Sequence, residues 1–153
     1  FPIFNYNEGS LDVVAEMLAH PRALFGLSDA GAHVGTICDA SATTFLLSHW
    51  CRDRQHGSLE AAQLIEMLTQ RNARHLGLTD RGRIACGLRA DLNLIDPARL
   101  APGVPQLVND LPSGGKRLLQ TSSGYLGTWV RGLPVIRHGE ITAHRPGALV
   151  RAH

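Results

Sequence analysis

Charge is scarce in this chain: 18% of its 153 residues are Asp, Glu, Lys or Arg, and the formal net charge is only +2. With the Arg residues scattered rather than grouped, the sequence lacks the basic stripe and interleaved aromatics that a nucleic acid or an acidic membrane surface would require as partner. No apolar run reaches membrane-spanning length, and the N-terminus lacks the basic region and apolar core of a signal peptide, so the expected location is the cytoplasm. Cysteine is equally sparse. Cys38, Cys51 and Cys86 are an odd number without a C-x-x-C spacing, which excludes a disulfide framework and a self-contained zinc knuckle and fits a reducing compartment. Cys38 reads as a small buried hydrophobe rather than a nucleophile or ligand. There is no internal repeat and no low-complexity tract. What the chain does have is a 44% hydrophobic fraction, enough for a globular core.

The pattern changes character near Leu78. Before it the periodicity is helical. Ser10 is placed to cap a helix from Leu11 to His20, whose Leu11, Val14, Ala15 and Leu18 recur at helical spacing before Pro21 stops it. Ala23 to Leu27 reads as a short strand. Ala42 to Arg54 reads as a second helix with Phe45, Leu46 and Trp50 inward, and Leu59 to Leu76 as a third that begins after Ser58 and ends at Gly77. Beyond Leu78, Gly and Pro break the chain repeatedly and the signals are short strands. Leu92 to Ile95 is one; Tyr125 to Val130 and Val135 to Ile136 flank Arg131-Gly132-Leu133-Pro134 as a hairpin, and a turn at His138-Gly139-Glu140 leads to Ile141. Helices alternating with strands predict an α/β class.

One run concentrates chemistry. Leu24-Phe25-Gly26-Leu27-Ser28-Asp29-Ala30-Gly31-Ala32-His33 is an apolar strand ending at a carboxylate, then small residues, then a histidine. Barrel enzymes place working groups at the C-terminal ends of buried strands, where the strand fixes the backbone and the loop lets side chains converge. Gly26, Gly31 and Gly35 with Ala30 and Ala32 leave room for a metal, a water or a substrate carbonyl. Asp29 is therefore the leading catalytic candidate. An Asp after a strand also caps the next helix, and Asp-Ala-Gly is ordinary turn chemistry, so spacing alone leaves both roles open. The same holds for His33 as a hydrogen-bonded loop residue, and for Thr36, Asp39 and Ser41, which capping and turn bonds explain equally well. Gly114-Gly115-Lys116 lacks the leading glycine, the Ser or Thr after Lys and the preceding strand of a phosphate-binding loop, and reads as a β-turn. Arg71, Arg74 and His75 form the solvated face of the third helix.

Three stretches together resemble the C-terminal part of an amidohydrolase-superfamily enzyme: Asp29-Ala30-Gly31-Ala32-His33, the helix Leu59 to Leu76, and Asp80-Arg81-Gly82-Arg83-Ile84-Ala85-Cys86-Gly87-Leu88-Arg89-Ala90-Asp91-Leu92-Asn93-Leu94-Ile95-Asp96. Asn109 to Gln120 and the tail Gly139 to Thr142 and Arg145 to Val150 narrow the resemblance to the N-acyl-D-amino-acid deacylase (D-aminoacylase) group. It implies the end of a TIM-like (β/α)8 metal-dependent hydrolase barrel over residues 1–78, followed by strands of a small β-sandwich over residues 79–153. It also implies a fragment of a longer protein: the superfamily's His-x-His pair, bridging ligand and two later histidine ligands have no counterpart in this sequence. Cys86 stands where the family usually has proline, which is expected to change loop stiffness more than chemistry.

The activity implied is zinc-dependent hydrolysis of a linear amide, an N-acyl-D-amino acid giving a D-amino acid and a carboxylate, with this chain inactive alone. Asp29 would take the proton of the attacking water, deliver it to the leaving amine and add a metal contact; His33 would orient Asp29 or line the substrate pocket. The main zinc ligands would lie outside this chain. Two alternatives remain: a cyclic amidase acting on a hydantoin or dihydropyrimidine, and a non-catalytic module or subunit completing a barrel from another chain. The expected partners are a small acylated amino acid and, through open strand edges, a homo-oligomer or the N-terminal part of the protein.

Overall fold

The structure, a computed structural model, describes residues 10–26, 28, 31, 35, 36 and 39–150. Helices come first. α1 (Asp12–Ala19) presents Val14, Ala15 and Leu18 to the core, joined by Leu11 just before it. The helix starts a residue later than expected, with Leu11 at the N-cap position and no side-chain capping bond, so Ser10 is not its cap; Ser10 Oγ accepts the Asp12 N–H at 3.1 Å from the residue before. α2 (Ala42–Leu47) runs directly into a π-helical turn at Ser48–Asp53, and α3 (Ala61–Glu66) into a second at Met67–Arg71 that continues as α4 (Asn72–His75). Gly77 (φ +70°) ends this helix: its N–H bonds Arg74 O at 3.2 Å and the Leu78 N–H bonds Ala73 O at 2.8 Å, the paired closure that a left-handed residue after a helix permits.

The helical core is Leu46, Trp50, Leu64 and Met67, with Phe25, Leu47, Cys51, Leu59 and Leu68 packed around it. Leu46 and Trp50 are inward as the spacing predicts, at 1% and 3% exposure, but Phe45 is 41% exposed. Leu46 and Trp50 are four apart and share a face; Phe45 shares its face with His49 instead. The expected strand at Ala23 to Leu27 is also corrected. Residues 23–26 are irregular, and side chains take up their carbonyls: Arg71 Nη1 donates to Ala23 O at 3.2 Å and Asn72 Nδ2 to Phe25 O at 2.8 Å. Among the described residues no strand lies beside this segment to make it one.

All eight strands among the described residues lie after Leu78, and every pairing is antiparallel. β1 (Leu92–Ile95), β6 (Tyr125–Val130), β7 (Leu133–Arg137) and β8 (Glu140–Ile141) form one sheet in the order β1-β6-β7-β8; β2 (Ala101–Pro102) pairs with β5 (Ser122–Ser123), and β3 (Gln106–Leu111) with β4 (Gly115–Leu119). The β6–β7 hairpin is tighter than the sequence suggests. Arg131 and Gly132 alone form the turn, at φ +53° and +77°, and β7 begins at Leu133, because two successive left-handed residues match the twist of the flanking strands. Pro112–Gly114 turns the chain between β3 and β4, so Gly114-Gly115-Lys116 belongs to a hairpin, as expected.

Helices and strands are tied together by Arg52, whose Nη1 donates to Pro97 O at 2.6 Å and Leu100 O at 2.8 Å while its other nitrogens hold Asp53. Gly124 (φ +87°) makes a second junction. A Cβ there would sit 2.6 Å from Leu100 Cα and 2.7 Å from Leu100 N, against backbone that has no room to move. Gly124→Ala should therefore destabilise the protein by at least about 2 kcal/mol, from left-handed strain plus overpacking. Chemical denaturation measures it, and amide exchange should show early loss of the Asp96 N–H bond to Gly124 O.

Candidate functional site

Asp29, His33 and Cys38 lie outside the described residues. Ser28, the residue before Asp29, together with Asp39, Ser41, Phe45, Pro102 and Gln120, borders a cleft of about 500 Å³, a size suited to a small molecule. Ser41 Oγ donates to Gln120 Oε1 at 2.6 Å, and Gln120 Nε2 donates to Gly103 O at 2.7 Å, so the amide is fixed by both its atoms. Behind this wall Thr44, 2% exposed, places its hydroxyl 2.9 Å from Tyr125 Oη and 3.3 Å from Ser122 Oγ. The cleft therefore stands on a polar seam joining α2 to the β4–β6 region.

Its aromatic wall is braced from behind. Phe45 stacks on His49 with centroids 4.8 Å apart and planes 6° apart; His49 meets Trp50 edge-on at 5.3 Å; the Arg54 guanidinium lies 4.6 Å from the Trp50 ring centre and pairs with Asp12. His49 Nε2 is buried with no hydrogen-bond partner among the described residues, a cost that the stacking must offset. Sequence reasoning missed Phe45, Pro102 and Gln120 as lining residues, because each is unremarkable in its own segment and only the packing of α2 on the strands brings them together.

The Asp80 to Asp96 stretch is a structural clamp. Asp91 accepts the Arg131 N–H at 2.9 Å and pairs with Arg89 at 2.7 Å, while Ala90 O accepts the Gly132 N–H at 2.9 Å, so the Ala-Asp dipeptide holds the tip of the β6–β7 hairpin. At Gly82 (φ +91°) the turn lies against the third helix, where a Cβ would be 2.8 Å from Ala73 Cβ. Burial pushes the Asp91 carboxyl up, but the Arg131 N–H, Arg89 and Arg81 outweigh it and hold the group below its ordinary value. A depressed carboxylate stabilises the fold above its unfolded value and loses that stabilisation as pH falls through the folded one. Asp91→Asn should accordingly lower the melting temperature at neutral pH, and the gap from the parent should close as pH drops below the ordinary carboxylate range.

No three His, Cys, Asp or Glu side chains among the described residues are grouped so that they could hold a metal ion. Asp29, the one metal contact that the resemblance places in this chain, lies outside the described residues. No helix among the described residues is long and apolar enough to cross a membrane.

Compared with known protein families, residues 5–136 match the Amidohydrolase family. The chain belongs to this amidohydrolase family. The matched span contains Asp29, His33, the bordering residues of the cleft and the Asp91 clamp. No curated protein matches the chain. Solved structures similar to it include a D-aminoacylase described as defining a novel subset of amidohydrolases, a D-aminoacylase mutant in complex with copper chloride, and one described in terms of the functional role of its binuclear metal centre. Each is 23% identical with a TM-score of 0.49, over 67% of this amidohydrolase chain and 19% of the other. The chain thus spans about a fifth of the length of those D-aminoacylases.

Proposed function

We propose that this amidohydrolase chain is the C-terminal part of a zinc-dependent enzyme that hydrolyses a linear amide, an N-acyl-D-amino acid, to the D-amino acid and a carboxylate. The family match over residues 5–136 carries this reading, and the Asp29 run and the Asn109 to Gln120 and C-terminal tail motifs narrow it. Residues 1–78 supply the end of a TIM-like barrel and residues 79–153 the β-sandwich segment. Zinc is bound mainly by residues outside this chain.

Asp29 is the chain's contribution to chemistry. Its carboxylate takes a proton from the attacking water as the new C–O bond forms, then returns it to the amine nitrogen as the C–N bond breaks, so one group serves as base and then acid. His33 orients Asp29 or contacts substrate from the same loop. A second reading, a non-catalytic module that completes another chain's barrel, draws on exposed apolar side chains such as Ile84, Leu94 and Leu107.

The test is release of free amino acid from N-acetyl-D- and N-acetyl-L-amino acids, beside ring opening of hydantoin and dihydrouracil, by this chain and by the full polypeptide that carries it. D-selective release by the full polypeptide alone is the expected result. Ring opening alone would move the substrate to cyclic amides, and no turnover of any substrate would leave the module reading.

A further inference from the structure

Ser41 stands at the N-cap position of α2, where a serine hydroxyl ordinarily accepts an N–H of the first helical turn. Here it makes no capping bond and donates instead to Gln120 Oε1 at 2.6 Å, across 79 positions of sequence. A local bond that helix starts favour is given up for a long-range one, and departures of this kind from a local rule concentrate at functional positions. The far end of the bond is rigid. Gln120 Nε2 donates to Gly103 O at 2.7 Å, so both amide atoms are engaged and the side chain has one orientation. Gly103 is itself held: its N–H bonds Thr121 O at 2.7 Å, and a Cβ there would lie 2.8 Å from the same oxygen. These contacts continue the pairing of β2 with β5, in which Pro102 is opposite Ser122.

Ser41 closes the short turn Asp39–Ser41, through which the chain leaves the run that carries Asp29 and His33. The chain enters that run through residues 23–26, where Arg71 and Asn72 hold the Ala23 and Phe25 carbonyls. Side chains of the helical half therefore fix the entry, and Gln120, from the strand half, fixes the exit. Ser28, Asp39, Ser41 and Gln120 border one cleft, so the anchored exit and the residue before Asp29 meet at the same place.

We propose that Gln120 is a positioning residue: through Ser41 it holds the Asp39–Ser41 turn, and with it the segment bearing Asp29, in register with the cleft. The inference rests on the hydrolase reading of Asp29. A catalytic group must be held within about 0.5 Å of its working geometry, and a misplacement of about 1 Å can cost about 10²-fold in rate.

The test uses the full polypeptide carrying this chain, assayed well below its melting temperature. Ser41→Ala and Gln120→Ala should each lower kcat at least about tenfold with KM within about twofold. Ser41→Thr keeps the hydroxyl and should keep kcat within about twofold of the parent. The double alanine variant should lose no more than Gln120→Ala alone, because the two residues share one bond. A second measurement is made on the chain itself, whose fold in each variant is verified by far-ultraviolet circular dichroism. Backbone order parameters of Asp39 and Ala40 should be near about 0.85 in the parent and below about 0.6 in both alanine variants. The proposal is overturned by unchanged kcat in either alanine variant, even if the melting temperature falls, since a merely structural bond would do that. It is equally overturned by a loss in Ser41→Thr as large as in Ser41→Ala, by losses that multiply in the double variant, or by unchanged order parameters. A parent that hydrolyses no amide would remove the hydrolase reading alone, and the order parameters would then decide whether Gln120 holds the turn.

Discussion

Replacing Trp50 with alanine should destabilise the protein by about 3–5 kcal/mol, the range for removing a large aromatic from a packed core. Trp50 is 3% exposed and belongs to the buried cluster with Leu46, Leu64 and Met67. It also carries His49 on its edge and Arg54 over its face, and its carbonyl accepts the Leu59 N–H at 2.8 Å. Alanine keeps that backbone bond and loses the rest, leaving a cavity that α1, α2 and α3 would have to collapse into. The two tryptophans make the measurement specific. Trp129 belongs to β6, where its ring lies across Gly127 close enough that a Cβ there would be 2.6 Å away. In the variant its fluorescence reports the strands alone, while far-ultraviolet circular dichroism follows the helices. Urea unfolding should show helical signal lost at lower denaturant than in the parent; a change below about 1 kcal/mol would mean that Trp50 is not central to the core.

The same residues show how far the sequence can be read. Helical periodicity is local, so Leu11, Val14, Ala15, Leu18, Leu46 and Trp50 announce both their helices and the faces they bury. The Arg131-Gly132 turn and the β1 strand are legible for similar reasons, through turn chemistry and a short apolar run. Phe45 escapes its expected inward place because it lies on the side of the helix where it stacks on His49, while Leu46, Leu47 and Trp50 take the core side, and the apolar pattern alone does not distinguish the two. Residues 23–26 fail to form the expected strand because an apolar run becomes one only when another strand pairs with it, which is a long-range fact. The π-helical turns and the reach of Arg52 to Pro97 and Leu100 leave no local signal. The β3–β4 pair shows in the sequence only as its Gly114-Gly115 turn.

For the site the division is sharper. Chemistry-bearing residue types in a short run point to Asp29 and His33, whereas the cleft lined by the neighbouring Ser28 is built from segments dozens of residues apart, Ser28 and Phe45 from one half of the chain and Pro102 and Gln120 from the other. The Ala90-Asp91 dipeptide, prominent in the resemblance, has a mechanical explanation: it fastens a hairpin tip. Family motifs thus mix residues that shape the fold with residues that do chemistry, and geometry separates them.

The most direct measurement is turnover of an N-acetyl-D-amino acid by the full polypeptide carrying this chain, with Asp29 intact and as Asp29→Asn. Asparagine keeps the size and hydrogen bonding of the side chain but cannot accept the proton of the attacking water. Loss of a general acid–base group typically removes about 10²–10⁴-fold in rate. The account predicts a kcat decrease of that order with metal content and melting temperature retained. Undiminished turnover in Asp29→Asn would contradict it.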